Sequence, residues 1–195
     1  METTETMTPV EVVALLSKND IPVVIIGGVA MRLHRSTRVT QDLDLSIPST
    51  AIDRVVGVLY ARDYVIVSSV NDRSAGLLSS IPEANRWIEA YHPGSLTFVA
   101  RPMGFRTGSS REVPHHAIDI ESQVDVLYDL AVPFGRLFHE ACTISIGEVT
   151  VRYAAAHHLL QLKEARTDRS GADDADIAFL RELPDRDDSH PEPST

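Results

Sequence analysis

The sequence predicts an α/β (α+β) domain: a mixed β-sheet flanked by helices, carrying a C-terminal helix pair. Three observations predict it. Short β-branched runs alternate with helical patterns up to Val151. The run Pro22–Ile26 has no polar interruption and stops abruptly at Gly27-Gly28, as a strand buried on both faces does before a turn. From Ala154 the chain changes character and reads as two helices with no strand between them. The organisation that follows is a core domain over 1–153, a helical annex packed on it over 154–183, and a disordered acidic tail over 184–195, PDRDDSHPEPST.

Taken in order, Thr8-Pro9-Val10-Glu11 has the form of a capping box with proline at the first helical position. Val12, Leu15 and Leu16 line one face of that helix, and Lys18-Asn19-Asp20 ends it. After the glycines, Val29–Arg35 reads as a short helix and Ser36–Thr40 as a polar turn. Asp42–Ile47 is a second strand, closed by Pro48. Ser49 or Thr50 is placed to cap a helix over Ala51–Arg62 that buries Ile52, Val55, Val56 and Leu59. Tyr64–Val67 is a third strand. Residues 71–95 show weak periodicity and receive no assignment. Leu96–Ala100 reads as a strand, 101–117 as a loop, and Val124–Leu127 as another buried strand. Cys142–Ile146 and Val149–Val151 form a hairpin around Gly147-Glu148. The annex consists of a helix from Ala154 to about Thr167 and a second over Asp173–Leu183.

Composition narrows the function. A single cysteine, Cys142, excludes an internal disulfide, suits a reducing compartment and reads as a small core residue. The start METTETMTPVE is no secretory signal, and no run approaches the ~20 apolar residues of a membrane helix, so a cytoplasmic protein is expected. A net charge of −10 argues against tight nonspecific binding to nucleic acid. One local exception is the strip 101–116, where Arg101, Arg106 and Arg111 face Glu112 alone; a solvated loop is the simpler reading.

The informative stretch is Val23–Ile47. Two glycines after a strand let backbone approach a ligand without a Cβ in the way. A helix starting there aims free N–H groups and about half a positive charge at the same spot, which suits phosphate. In the next strand Asp42 and Asp44 are two residues apart and share a face, while Leu43, Leu45 and Ile47 point to the core. Two adjacent carboxylates repel, and magnesium resolves the conflict by binding them together with substrate phosphates. Either feature alone is ordinary. Their combination, in the order strand, Gly-Gly, helix, strand, points to nucleotide transfer.

GGVAMRLHRSTRVTQDLDL resembles the signature of the polymerase-β-like nucleotidyltransferase superfamily, in which Gly-[Gly/Ser] is followed about a dozen residues later by Asp-x-Asp. The run from His34 through Arg38-Val-Thr-Gln-Asp-Leu-Asp44 resembles the AbiEii-like branch, which includes abortive-infection and toxin–antitoxin toxins. LLQLKEARTDRSGADDADIAFL is similar to the same branch. The resemblance covers most of residues 10–183. It implies a nucleotidyltransferase fold, Mg2+ (or Mn2+) as cofactor, ATP or another NTP as substrate, and a third carboxylate. Asp125, which interrupts an apolar strand, matches that carboxylate better than Asp119 or Asp129, as metal ligand or as base. The resemblance also implies that Lys163 reaches the triphosphate, with Arg166 or Asp176 orienting it; the alternative is a lysine that snorkels from the apolar edge of its helix. Arg38 either clamps phosphate or salt-bridges Asp42 or Asp44. His34 ends its helix, and the pairs His115-His116 and His157-His158 are incidental, having no partners at zinc-site spacing. One departure is Val29, which stands where relatives place Ser or Thr.

Two functions of different class follow. The first is an enzyme that moves NMP from an NTP to a hydroxyl of RNA (such as tRNA), protein or a small molecule, with the toxin of a toxin–antitoxin pair, and a cognate antitoxin partner, among its forms. Asp42 and Asp44 would then hold magnesium, and Asp125 would take the acceptor's proton. The second is a catalytically inactive nucleotide- or partner-binding module of the same fold. Retention of all three aspartates favours the enzyme. A Rossmann dinucleotide-binding protein is disfavoured because Gly-x-Gly-x-x-Gly is absent after the strand.

Overall fold

The computed structural model describes residues 7–40, 42–105, 112–119 and 122–183. The acidic tail expected over 184–195, and Arg106 and Arg111 of the basic strip, lie outside them.

Helix α1 (Pro9–Lys18) begins with the reciprocal capping box: the Glu11 amide donates to Thr8 Oγ1, and the Thr8 amide donates to Glu11 Oε2 at 2.7 Å. Its buried face is Val12, Val13 and Leu16. Strand β1 is short, Val24–Ile25, because the next helix, α2 (Gly27–Leu33), begins immediately after Ile26. The glycines are thus the first residues of the helix rather than a turn before it. His34 closes α2, and its Nε2 lies 2.8 Å from the Ala154 carbonyl oxygen.

Strand β2 (Leu43–Ser46) puts Leu43 and Leu45 in the core. The segment after Pro48 departs from expectation: Ser49–Ala51 is a 3-10 turn, α3 spans Ile52–Tyr60, and no side chain caps it. Strand β3 (Tyr64–Val70) runs longer than expected. The unassigned region contains β4 (Ser74–Leu78) and α4 (Ile81–Tyr91). A register shift between Val67 and Ser69, opposite Gly76, breaks the alternation there and hides the strand pair from a reading by period. Strand β5 (Ser95–Ala100) follows. Part of the presumed loop is a short strand, β6 (Glu112–Pro114). Strand β7 is Val124–Leu127, and helix α5 (Phe134–His139) has no counterpart in the sequence reading. The hairpin β8 (Cys142–Ile146) and β9 (Val149–Tyr153) turns at Gly147, whose φ is +60°. Cys142 is half-buried at the start of an outer strand, not a core residue. Helices α6 (Ala156–Glu164) and α7 (Gly171–Glu182) complete the described chain.

Among the described residues the strands form one mixed sheet in the order β6-β4-β3-β5-β7-β2-β1-β9-β8. Two pairings are parallel, β2 with β7 and β1 with β9; the others are antiparallel. Helices α1, α3 and α4 pack against one another and the sheet, and α6 packs on α2 and α7. A continuous, mostly aliphatic core runs through Val24, Leu45, Val55, Leu59, Ile66, Phe98 and Val126, all at most 1% exposed. Aliphatic side chains fill it because aromatics supply only 6% of the sequence. No helix of the described residues is long and apolar enough to cross a membrane.

Candidate active site

The site forms where the two parallel strands β2 and β7 lie side by side. Asp44 and Asp125 are register partners across this pair. Parallel neighbours in register point to the same face, so the two carboxylates meet above the sheet. Asp42, just before β2, joins them, and one carboxylate oxygen from each of the three lies within 4.8 Å of the others. Leu43 and Leu45, pointing to the other face, are buried and anchor the strand beneath.

Each carboxylate is held. Thr40 Oγ1 donates to Asp42 Oδ1 at 2.6 Å. On the neighbouring strand, Thr97 Oγ1 donates to Asp125 Oδ1 at 2.6 Å and Gln123 Nε2 to Asp125 Oδ2 at 2.9 Å. Thr97 is also the register partner of Asp125. Asp44 differs from the other two. Burial, reinforced by the charges of Asp42 and Asp125, pushes its carboxyl up to about 6, against the opposing pull of the Gly28 N–H and Arg166. Three converging carboxylates, one of them partly forced into its neutral form, are short of positive charge. That donor set fits a hard divalent cation such as magnesium.

The glycines are required where they stand. Gly27 has φ +59°, and a Cβ on it would overlap the Asp44 carboxylate. A Cβ on Gly28 would come within 2.6 Å of Thr40 Cβ, the residue that holds Asp42. The close approach therefore serves the aspartates directly, and the Gly28 N–H leans on Asp44. Beside it opens a cavity of about 250 Å3, lined by Gly27, Asp44, Asp129, Lys163 and Arg166 with an apolar wall that includes Leu127, Leu159 and Leu162.

The remaining predicted residues separate into those at the cavity and those behind it. Lys163 borders the cavity, but its ammonium is buried between Asp173 Oδ1 at 3.0 Å and Asp176 Oδ2 at 2.6 Å. It does not snorkel. Arg38 does not reach Asp42 or Asp44; it pairs with Asp176. Arg166 pairs with Asp173 at 3.2 Å while remaining half exposed at the cavity. Asp119 is exposed and away from the carboxylates, whereas Asp129, with φ +56°, lines the cavity. Arg101, the described arginine of the basic strip, is tied to Asp63 at 2.9 Å.

Thr40, Thr97, Gln123 and Asp173 escaped the sequence reading. Thr40 lies inside the Arg38–Asp44 motif and Asp173 inside the aspartate-rich turn, so both had a signal. Thr97 had none, because only strand pairing brings it to Asp125, whereas Gln123 stands two residues before Asp125 on the same face and so had the signal of strand alternation.

A family model described as aminoglycoside-2''-adenylyltransferase matches residues 10–83, which include the glycines and both Asp42 and Asp44. A search of curated proteins finds no match. Among solved structures the chain resembles the lincosamide antibiotic adenylyltransferase LnuA in its lincomycin-bound form, with a TM-score of 0.51 at 12% identity over 89% of this chain and 94% of that one. It also matches ANT(2")-Ia in complex with adenylyl-2"-tobramycin, at a TM-score of 0.45 and 14% identity over 87% and 83% of the two chains. The first likeness extends over nearly the whole of both chains and shows that this chain shares the fold of that adenylyltransferase.

Proposed function

We propose that this protein is a magnesium-dependent nucleotidyltransferase that moves NMP from an NTP to a hydroxyl of a small molecule. The observation that carries the reading is the in-register pair Asp44 and Asp125, joined by Asp42, at the edge of a cavity bordered by Gly27, Lys163 and Arg166. Magnesium held by Asp42, Asp44 and Asp125 would neutralise charge on the triphosphate and the leaving pyrophosphate. Thr97 and Gln123 donate to both oxygens of Asp125, which fixes its orientation. An ionised Asp125 can accept the proton of the acceptor hydroxyl. The freed oxygen then bonds to the α-phosphorus as pyrophosphate leaves. Gly27 leaves the approach to Asp44 open, and Arg166 offers the half-exposed cation nearest the cavity mouth for phosphate. Lys163, held by Asp173 and Asp176, fixes the part of the cavity wall that it lines.

The choice of acceptor rests on three supports. The matching family model and solved structures bear the names of antibiotic adenylyltransferases. The cavity wall is apolar, and the net charge of −10 is unfavourable for RNA. The AbiEii-like subtype and the toxin role have the motifs at 25–47 and 158–183 as their support.

The test incubates the protein with magnesium, each NTP labelled at the α-phosphate, and separate pools of small hydroxyl compounds (aminoglycosides and lincosamides among them), total RNA and total protein. A labelled small molecule with release of pyrophosphate is the expected result. Label on RNA or protein alone would overturn the choice of acceptor. NTP binding without any labelled product would favour the inactive module.

A further inference from the structure

A second cluster, away from the three aspartates, lies where the end of α5 meets the start of α6. Glu140 Oε2 stands 3.1 Å from His157 Nε2 and 3.0 Å from His158 Nε2. Adjacent residues on a helix normally diverge by about 100°. Here the two imidazole rings converge, with centroids 4.0 Å apart. The other carboxylate oxygen, Oε1, faces Arg136 at 3.3 Å, which leaves Oε2 for the histidines.

His158 is the decisive residue. It is fully buried, and neither ring nitrogen is aligned on a hydrogen-bond partner, although Nε2 is close to Glu140. Native interiors rarely leave a buried imidazole without an aligned hydrogen bond.

We infer that Glu140, His157 and His158 form a transition-metal site of the zinc class, with three protein ligands and an outer position open to water. Two ligand atoms each ~2.0–2.1 Å from a tetrahedral ion stand roughly 3.3 Å apart, close to the separations seen here. Two imidazole nitrogens and one carboxylate oxygen suit zinc, and they differ in kind from the all-oxygen set of Asp42, Asp44 and Asp125. The ion would tie α5 to the first turn of α6, the helix whose last turn bears Lys163. Its role is structural: it fixes α6 against the core and so fixes the cavity wall.

Metal-free full-length protein titrated with Co2+ should show the visible absorption of a tetrahedral ion at one equivalent. That band should survive in Asp44→Asn, which disables the carboxylate site. It should weaken at least tenfold in affinity in Glu140→Gln and in His157→Gln, whose exposed side chains can be replaced without opening the core. Zn2+ should raise the melting temperature of the wild type and of Asp44→Asn but not of His157→Gln. Absence of the band in wild type would overturn the site. So would a band that Asp44→Asn abolishes and His157→Gln leaves unchanged, since the metal would then sit on the aspartates.

Discussion

Single atoms decide the chemistry at Gly27, Asp44 and Asp125. Asp44 carries the burden of burial and of two like charges, which push its carboxyl up to about 6. Asp44→Asn and Asp125→Asn should each lower transfer by more than about 100-fold, beyond the usual 10- to 100-fold for losing an outer partner of a metal ligand. Neither should lower the melting temperature of the metal-free protein, because each relieves repulsion; a cooperative loss of fold in either would assign them a structural role instead. Thr97→Val should act more mildly, reducing turnover by freeing Asp125 while leaving NTP affinity near wild type. Gly27→Ala is predicted to be disproportionately severe for one methyl group. It requires a left-handed backbone costing ~1–2 kcal/mol, and its Cβ displaces the Asp44 carboxylate, so transfer and melting temperature should fall together.

At the scale of elements, α7 acts as the bracket for Lys163. Ser170 caps the helix, with its hydroxyl accepting from the Asp173 amide and its own N–H donating to Asp173 Oδ2 at 3.1 Å. The other Asp173 oxygen holds Lys163. Burial opposes the charge of Asp173, but Ser170 and Lys163 together hold its carboxyl well below the usual range. The sign of the linkage follows: the unfolded chain binds this proton more tightly, so the stability is present above about pH 3.8 and is lost as pH falls further. Asp173→Asn should therefore show a shallower loss of stability than wild type on acidification below pH ~4, read by denaturant melts across pH. Ser170→Ala should cost ~1 kcal/mol through the lost cap. Lys163→Met strands two buried carboxylates, each of which retains an arginine (Arg166 or Arg38). Its cost should fall at or below the ~3–5 kcal/mol of a broken buried pair, and NTP affinity should drop with it.

For the whole molecule, the cavity joins pieces far apart in sequence: Gly27 from the first helix after β1, Asp44 from β2, Asp129 after β7, and Lys163 and Arg166 from the end of α6. A ligand bridging these pieces binds the folded state alone. Saturating NTP with magnesium at ~100 times Kd should stabilise the protein by about 2.7 kcal/mol, and chelating the magnesium should remove most of that gain. A melting temperature that does not respond to NTP with magnesium would count against the cavity as the nucleotide site.

Local chemistry in the sequence was sufficient for α1, for the aspartate pair on one face of β2 and for the hairpin at Gly147, because capping, alternation and turn residues act between near neighbours. It was also sufficient to single out Asp125, a charge within an apolar strand. It was insufficient between Asn71 and Tyr91, where a bulge opposite Gly76 and a mostly exposed helix blur both periods. Only the tertiary structure decided that Asp125 faces Asp44, because strand order sets that register. The same holds for the pairing of Arg38 with Asp176 and for the meeting of Glu140 with His157 and His158. Such contacts join distant segments, and no spacing along the chain encodes them; they exist only once the sheet has set its order and the terminal helices have packed.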